Sequence, residues 1–198
     1  ARKHTLAASL AHAEWQKAKI NIIDTPGFAN FLTDARLALR VVETALVAVD
    51  AVSGVEVQTE KLWAEAAALN LPRIVVLTRL ERERASLERT LESLRRDCAR
   101  EIVPIQLPIG EERGLVGVVD LVRMRALTFA GDDSGKMTES DVPAALAAAA
   151  AAARDRLIEA VAEADESLME AFFAEGTLTQ DQLLSGLRTA TATGRLFP

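Results

Sequence analysis

The sequence predicts an α/β fold in which helices flank a mostly parallel sheet, with a smaller α+β subdomain attached. Three observations predict it. Short apolar runs alternate with helical stretches through the first half of the chain. Two of those runs, Ala45–Val49 and Arg73–Leu77, are continuously apolar, the pattern of strands covered on both faces. Beyond Pro108-Ile-Gly110 the pattern changes to short β-like segments followed by helices.

Taken in order, Thr5–Trp15 and Ile20–Ile23 read as strands. The short link Gln16-Lys-Ala-Lys19 joins them as a hairpin, which makes one edge of the sheet antiparallel. A helix is expected from about Phe31 to Val42, with Phe31, Ala35, Ala38 and Val42 on one face. The strand Ala45–Val49 follows, then a Ser53-Gly54 turn and a helix near Gln58–Leu69. After the second buried strand come a helix over Ala85–Arg100 and a third strand, Ile102–Leu107. These elements assign 1–107 to one domain and 108–198 to a subdomain.

In the second part Leu115–Val119 and Met124–Phe129 read as β segments around Asp120, leading into a polar loop, Ala130–Glu139. Pro143 suits a first helical turn, and the alanine-rich run after it opens a long helix reaching about Ala164. Leu157, Ile158, Val161, Leu168, Met169, Phe172 and Phe173 form an apolar stripe expected in the core. Thr179 and Gln182 have capping-box spacing, which starts a last helix running to about Thr191.

Composition narrows the function. Of 198 residues 49% are hydrophobic, enough for a sizeable core. With 23 Lys+Arg against 29 Asp+Glu the net charge is −6, which excludes a generally basic nucleic-acid surface. The single cysteine, Cys98, rules out an internal disulfide and suits a reducing compartment, as a buried structural thiol rather than a nucleophile. The sequence has neither an apolar run of about 18 residues nor the hydrophobic core of a signal peptide, so a cytoplasmic location without membrane contact is expected. The missing initiating methionine predicts a stretch of a longer protein.

The chemistry concentrates in Asn21-Ile-Ile-Asp-Thr-Pro-Gly27, an apolar strand ending in an acid and a Pro-Gly turn, with a helix following. Asp24 at the mouth of such a strand suits a magnesium-bound water, and the Gly27 amide, with no Cβ beside it, suits close approach to a terminal phosphate. Thr25 and Pro26 complete that turn. This is the second phosphate-side element of a P-loop-NTPase-like domain. The first strand and the phosphate loop are absent, because no G-x-x-x-x-G-K-[ST] occurs in these residues. A guanine-specific domain also needs Asn-Lys-x-Asp at the end of a later strand. Here that place holds Thr78-Arg-Leu-Glu81, with a hydroxyl for an amide and a carboxylate one methylene further out. The plain alternative is that Thr78, Arg79 and Glu81 are simply exposed residues at a strand end.

These phrases resemble the nucleotide-binding domain of elongation factor G, a bacterial translational GTPase. The likeness rests on Trp15, Lys19-Ile-Asn-Ile-Ile-Asp-Thr-Pro-Gly27, Ala45-Leu-Val-Ala-Val-Asp50, Ser53-Gly-Val-Glu-Val-Gln58 and Leu71-Pro-Arg-Ile74. It continues through Gln106-Leu-Pro-Ile-Gly110, Gly117-Val-Val-Asp120 and Asp165-Glu-Ser-Leu-Met169, all in family order. The resemblance implies an inserted subdomain after the Gln106–Gly110 phrase, GTP and Mg2+ as cofactors, GTP/GDP and the ribosome (rRNA and ribosomal proteins) as partners, and a monomer. It also implies that Thr5 is the switch threonine on magnesium, Asp24 the acid behind that ion, and Gly27 the γ-phosphate amide. Phe28 stands where the family has its water-positioning histidine, and a hydrocarbon ring cannot orient water. His4 and His12 match no catalytic position. Lys3-His4 replaces the Gly-Ile expected before the switch threonine. The expectation is a divergent paralogue that hydrolyses GTP on the ribosome in translocation or a related step, with this stretch inactive alone. The rival is a degenerate GTPase-like module that binds the ribosome or another protein without turnover.

Overall fold

A computed structural model describes residues 5–132 and 134–198 of the chain. Lys3 and His4 lie outside these residues. Strands β1 (Ser9–Trp15) and β2 (Ala18–Asp24) form an antiparallel hairpin in which Ser9 faces Asp24 and Trp15 faces Ala18. Gln16 and Lys17 make the two-residue turn, both at positive φ (45° and 67°), the geometry that matches the twist of paired strands. The expected strand from Thr5 therefore starts four residues later; the Ala8 amide leaves the ladder and donates to Asp34 at 3.0 Å.

A short 3-10 turn, Ala29–Phe31, leads into helix α1 (Leu32–Leu39). It buries Ala35 and Ala38 but stops short of Val42. Strand β3 (Ala45–Asp50), helix α2 (Val57–Ala68), strand β4 (Arg73–Thr78) and helix α3 (Leu87–Asp97) complete a β-α-β-α run. Strands β3 and β4 pair in parallel with Asp50 beside Thr78, so their carboxyl ends lie level. Ser86 caps α3 by accepting from the Arg89 amide.

Two expectations about this layer are corrected. Among the described residues the hairpin pairs only with itself and not with the edge of the β3–β4 sheet. The strands are also not covered on both faces. β3 buries Ala45 and Val49 while Leu46 is 66% exposed, and Ile20 and Ile22 of β2 are exposed as well. Uninterrupted apolar sequence marks residues that could be buried, but cover depends on what packs above each face, and here one face has none.

The third expected strand is divided. Ile102 makes a parallel bridge with Phe197, and the Val103 amide donates to the Phe197 carbonyl. The Pro198 carbonyl in turn accepts from Val75 of β4, so the last residues lie beside this layer. Residues from Gln106 onward form a third, fully antiparallel sheet in the order β5 (Gln106–Ile109), β6 (Gly117–Asp120), β7 (Arg125–Phe129) and β8 (Met137–Asp141). β8 occupies ground expected to be loop. Its Met-Thr-Glu-Ser-Asp sequence is exposed throughout and has no apolar alternation to betray an edge strand.

Helices α4 (Ala144–Glu163), α5 (Glu166–Glu175) and α6 (Gln180–Ala192) cover that sheet. Val119, Leu121, Leu157, Ile158, Val161 and Leu183 form the larger core. The capping box at Thr179 is present: the Thr179 amide donates to Gln182 Oε1 at 2.9 Å, and the Gln182 amide donates to Thr179 Oγ1 at 3.3 Å. One member of the expected stripe is corrected. Phe173 is 78% exposed, because adjacent helical positions sit about 100° apart and Phe172 takes the inward direction.

Candidate nucleotide site

The sequence-predicted residues fall into two groups at strand ends. In the first, β2 ends on Asp24 and the chain turns through Thr25-Pro-Gly27 into α1. Pro26 is fully buried and anchors the turn from beneath, whereas Asp24 and Gly27 are exposed and Thr25 is half-buried. Thr5, far away in sequence, returns to this point, and its Oγ1 donates to Asp24 Oδ2 at 3.2 Å. Gly27 is a glycine that the fold does not require. Its φ is not left-handed, and a Cβ built there meets nothing within 4 Å. A glycine with open space on its Cβ side fits a backbone that a ligand must approach closely.

Two hard oxygens, a hydroxyl and a carboxylate, converge beside that turn. This donor set suits Mg2+, which takes oxygen ligands and keeps several waters. Phe28 follows directly, 57% exposed, and its ring has no proton to give or take.

The second group stands at the level ends of β3 and β4. Thr78 donates its hydroxyl to the Val49 carbonyl at 3.3 Å, so the donor counted on for base recognition is used within the sheet. Arg79 takes a left-handed φ of 63°, which swings its side chain back across β3. There its Nη1 meets Asp50 Oδ2 at 2.6 Å. Asp50 Oδ1 also accepts from the Val52 amide at 2.8 Å. Partial burial pushes the Asp50 carboxyl up, but the Val52 amide, Arg79 and the Ser53 amide together outweigh it and leave the pKa below its ordinary value. Glu81 is exposed and makes no hydrogen bond or ion pair among the described residues.

The structure thus joins Thr5 to Asp24, and Thr78 and Arg79 to the end of β3. No ladder links the two groups; α1 packs on α2, with Arg36 Nε to Glu65 Oε2 at 2.8 Å. Sequence reading missed Asp50. Its signal was present, an acid at a strand's carboxyl end before a Ser-Gly turn, but the residue that claims it lies on the next strand.

The chain is similar over 97% of its length to a crystal structure of a protein from Thermus thermophilus, with 33% identity and a TM-score of 0.87. It spans 28% of that protein's length. The family model described as the elongation factor Tu GTP binding domain matches residues 1–184. With that match across most of its length and the strand-end geometry described above, the chain belongs to this family, as a translational GTPase domain of the elongation factor G type.

Proposed function

We propose that the full-length protein is a GTP-binding translation factor that works in the cytoplasm as a monomer and hydrolyses GTP on the ribosome, slowly by the standard of its family. The observation that carries this reading is the 3.2 Å contact between Thr5 and Asp24 beside the unobstructed Gly27. In this reading Thr5 and Asp24 hold Mg2+, directly or through water, and the Gly27 amide meets the γ-phosphate. Magnesium supplies charge neutralisation at the phosphates, while these residues hold the turn and the Thr5 segment in one ordered arrangement. Thr25 and Pro26 fix that turn, and Thr78, Arg79 and Glu81 border the base.

This stretch alone is expected to bind GTP negligibly, since its sequence holds no G-x-x-x-x-G-K-[ST] motif. A division into a partial nucleotide-binding unit, 1–107, and an inserted subdomain, 108–198, accompanies the proposal. It is supported by the chain leaving the first layer near Val103 and returning to it at Phe197.

A second reading, a non-catalytic binding module, is favoured by Phe28 at the water-positioning place and by the engagement of Arg79 with Asp50. Titration of the full-length protein with GTP and Mg2+, followed by turnover with and without ribosomes, separates the two. Micromolar binding with ribosome-stimulated turnover supports the enzyme. Binding or ribosome association without turnover supports the module.

A further inference from the structure

At the other end of the same sheet lies an arginine with no counter-ion among the described residues. Arg73 opens β4 and is only 8% exposed, yet no carboxylate of those residues lies within ion-pairing distance. Its guanidinium carbon sits 4.6 Å from the centroid of the Trp63 ring and 4.3 Å from that of Phe197. The two rings themselves meet edge to face at 5.0 Å. The Nε donates to the Leu71 carbonyl at 3.3 Å, and the terminal nitrogens have no partner among the described residues. Burial lowers the pKa of this group, as expected of a charge withdrawn from water.

The terminal nitrogens are not sealed in. Gln58 Oε1 is the one fully buried side-chain polar atom without a partner among the described residues, so the free Arg73 donors must reach open space. That space is a cleft of about 1030 Å³, which Arg73 lines together with Trp63 and Phe197. It lies between α2, the end of α3, the end of α4 and the chain's last residues. Ala64 and Ala67 of α2 and Ala160 of α4 give it small apolar walls. Glu60, Glu101 and Glu163 stand exposed around it, as do Arg100 and Arg195, while Asp97, which also lines it, is held by Arg96 at 2.7 Å and Arg195 Nη1 donates to the Ala164 carbonyl at 2.8 Å.

We propose that this cleft is a binding site for a monocarboxylate with a flat apolar body, whose acid group docks on the terminal nitrogens of Arg73. A guanidinium held rigid by two rings presents a planar pair of donors that matches the two oxygens of a carboxylate. The small apolar walls take an apolar body and leave room for one, since ligand cavities run to about this volume. Around Arg73 the lining carries four carboxylates, Glu60, Asp97, Glu101 and Glu163, against the two guanidiniums of Arg100 and Arg195, an acidic balance that favours a single negative charge over a dianion. The site is distinct from the nucleotide site: Arg73 and Thr78 mark opposite ends of β4, about 17 Å apart at roughly 3.3 Å per residue.

Calorimetric titration of the full-length protein with phenylacetate, its neutral amide and phenyl phosphate tests the assignment. Phenylacetate should bind saturably, at least about tenfold more tightly than phenylacetamide or phenyl phosphate. Arg73→Met should remove that preference. Because this change touches a packed residue, Ala64→Glu serves as a second variant; it adds a carboxylate to an exposed wall position, leaves the ring stack in place and should weaken phenylacetate by about tenfold. GTP affinity should stay the same in Ala64→Glu. The proposal fails if no phenylacetate binds, if the amide or the phosphate ester binds equally well, or if Ala64→Glu leaves phenylacetate binding unaltered.

Discussion

Arg79 reaches across from the end of β4 to meet Asp50 at the end of β3, Nη1 to Oδ2 at 2.6 Å, from a left-handed backbone. The contact ties the loop after β4 to the turn after β3, and it depends on Asp50 being ionised. The native pKa of Asp50 lies below its ordinary 3.8, so the stabilisation is complete above 3.8 and disappears as pH falls through the native value. Arg79 is half exposed, so the contribution is at most about 1 kcal/mol and shrinks with salt. Urea unfolding of wild type and Asp50→Asn between pH 2 and 7 should show the wild-type advantage near neutrality vanish in acid. An advantage that persists at the acid end contradicts this.

Three glycines separate fold from function. At Gly117 a Cβ would stand 2.1 Å from the Leu127 carbonyl oxygen, and at Gly186 it would stand 2.4 Å from Leu168 Cδ1 and 2.6 Å from Val161 Cγ1. Gly117→Ala must displace backbone and should cost more than about 3 kcal/mol, while Gly186→Ala meets side chains and should cost about 1–3 kcal/mol. Gly27→Ala meets nothing and should change stability by less than about 0.5 kcal/mol. In the full-length protein it should nevertheless weaken GTP binding. Denaturant midpoints and a GTP titration on the three variants decide the order.

Phe28 stands where the resemblance to elongation factor G implies a water-positioning histidine. Phe28→His in the full-length protein should raise ribosome-stimulated GTP turnover by about tenfold or more, because it restores a group able to orient water. Phe28→Leu should leave turnover where it is. Equal rates for all three would show that position 28 does not touch the attacking water.

The stripe of α4 and α5 divides sharply by burial. Leu157→Ala empties a fully buried site and should cost about 2–5 kcal/mol. Phe173→Ala removes a ring that is 78% exposed and should stay within about 0.5 kcal/mol of wild type. Thermal unfolding of the two variants gives the comparison directly.

What could be read from the residues was local. The hairpin turn at Gln16-Lys17, the helix opened by Thr179 and Gln182, the parallel pair of apolar runs, and the acid-turn-glycine of Asp24–Gly27 each carry their signal within a few neighbours. Short-range sterics and hydrogen bonds fix such features wherever the segment lies. Asp50 beside Arg79, Thr5 returning to Asp24, the bare face of β3 and the outward turn of Phe173 needed the tertiary structure. So did the unpaired donors of Arg73 between Trp63 and Phe197. Each depends on groups from 10 to 134 positions apart being brought together, or on which surfaces find cover. Chain-wide packing, rather than any nearby residue, sets those outcomes.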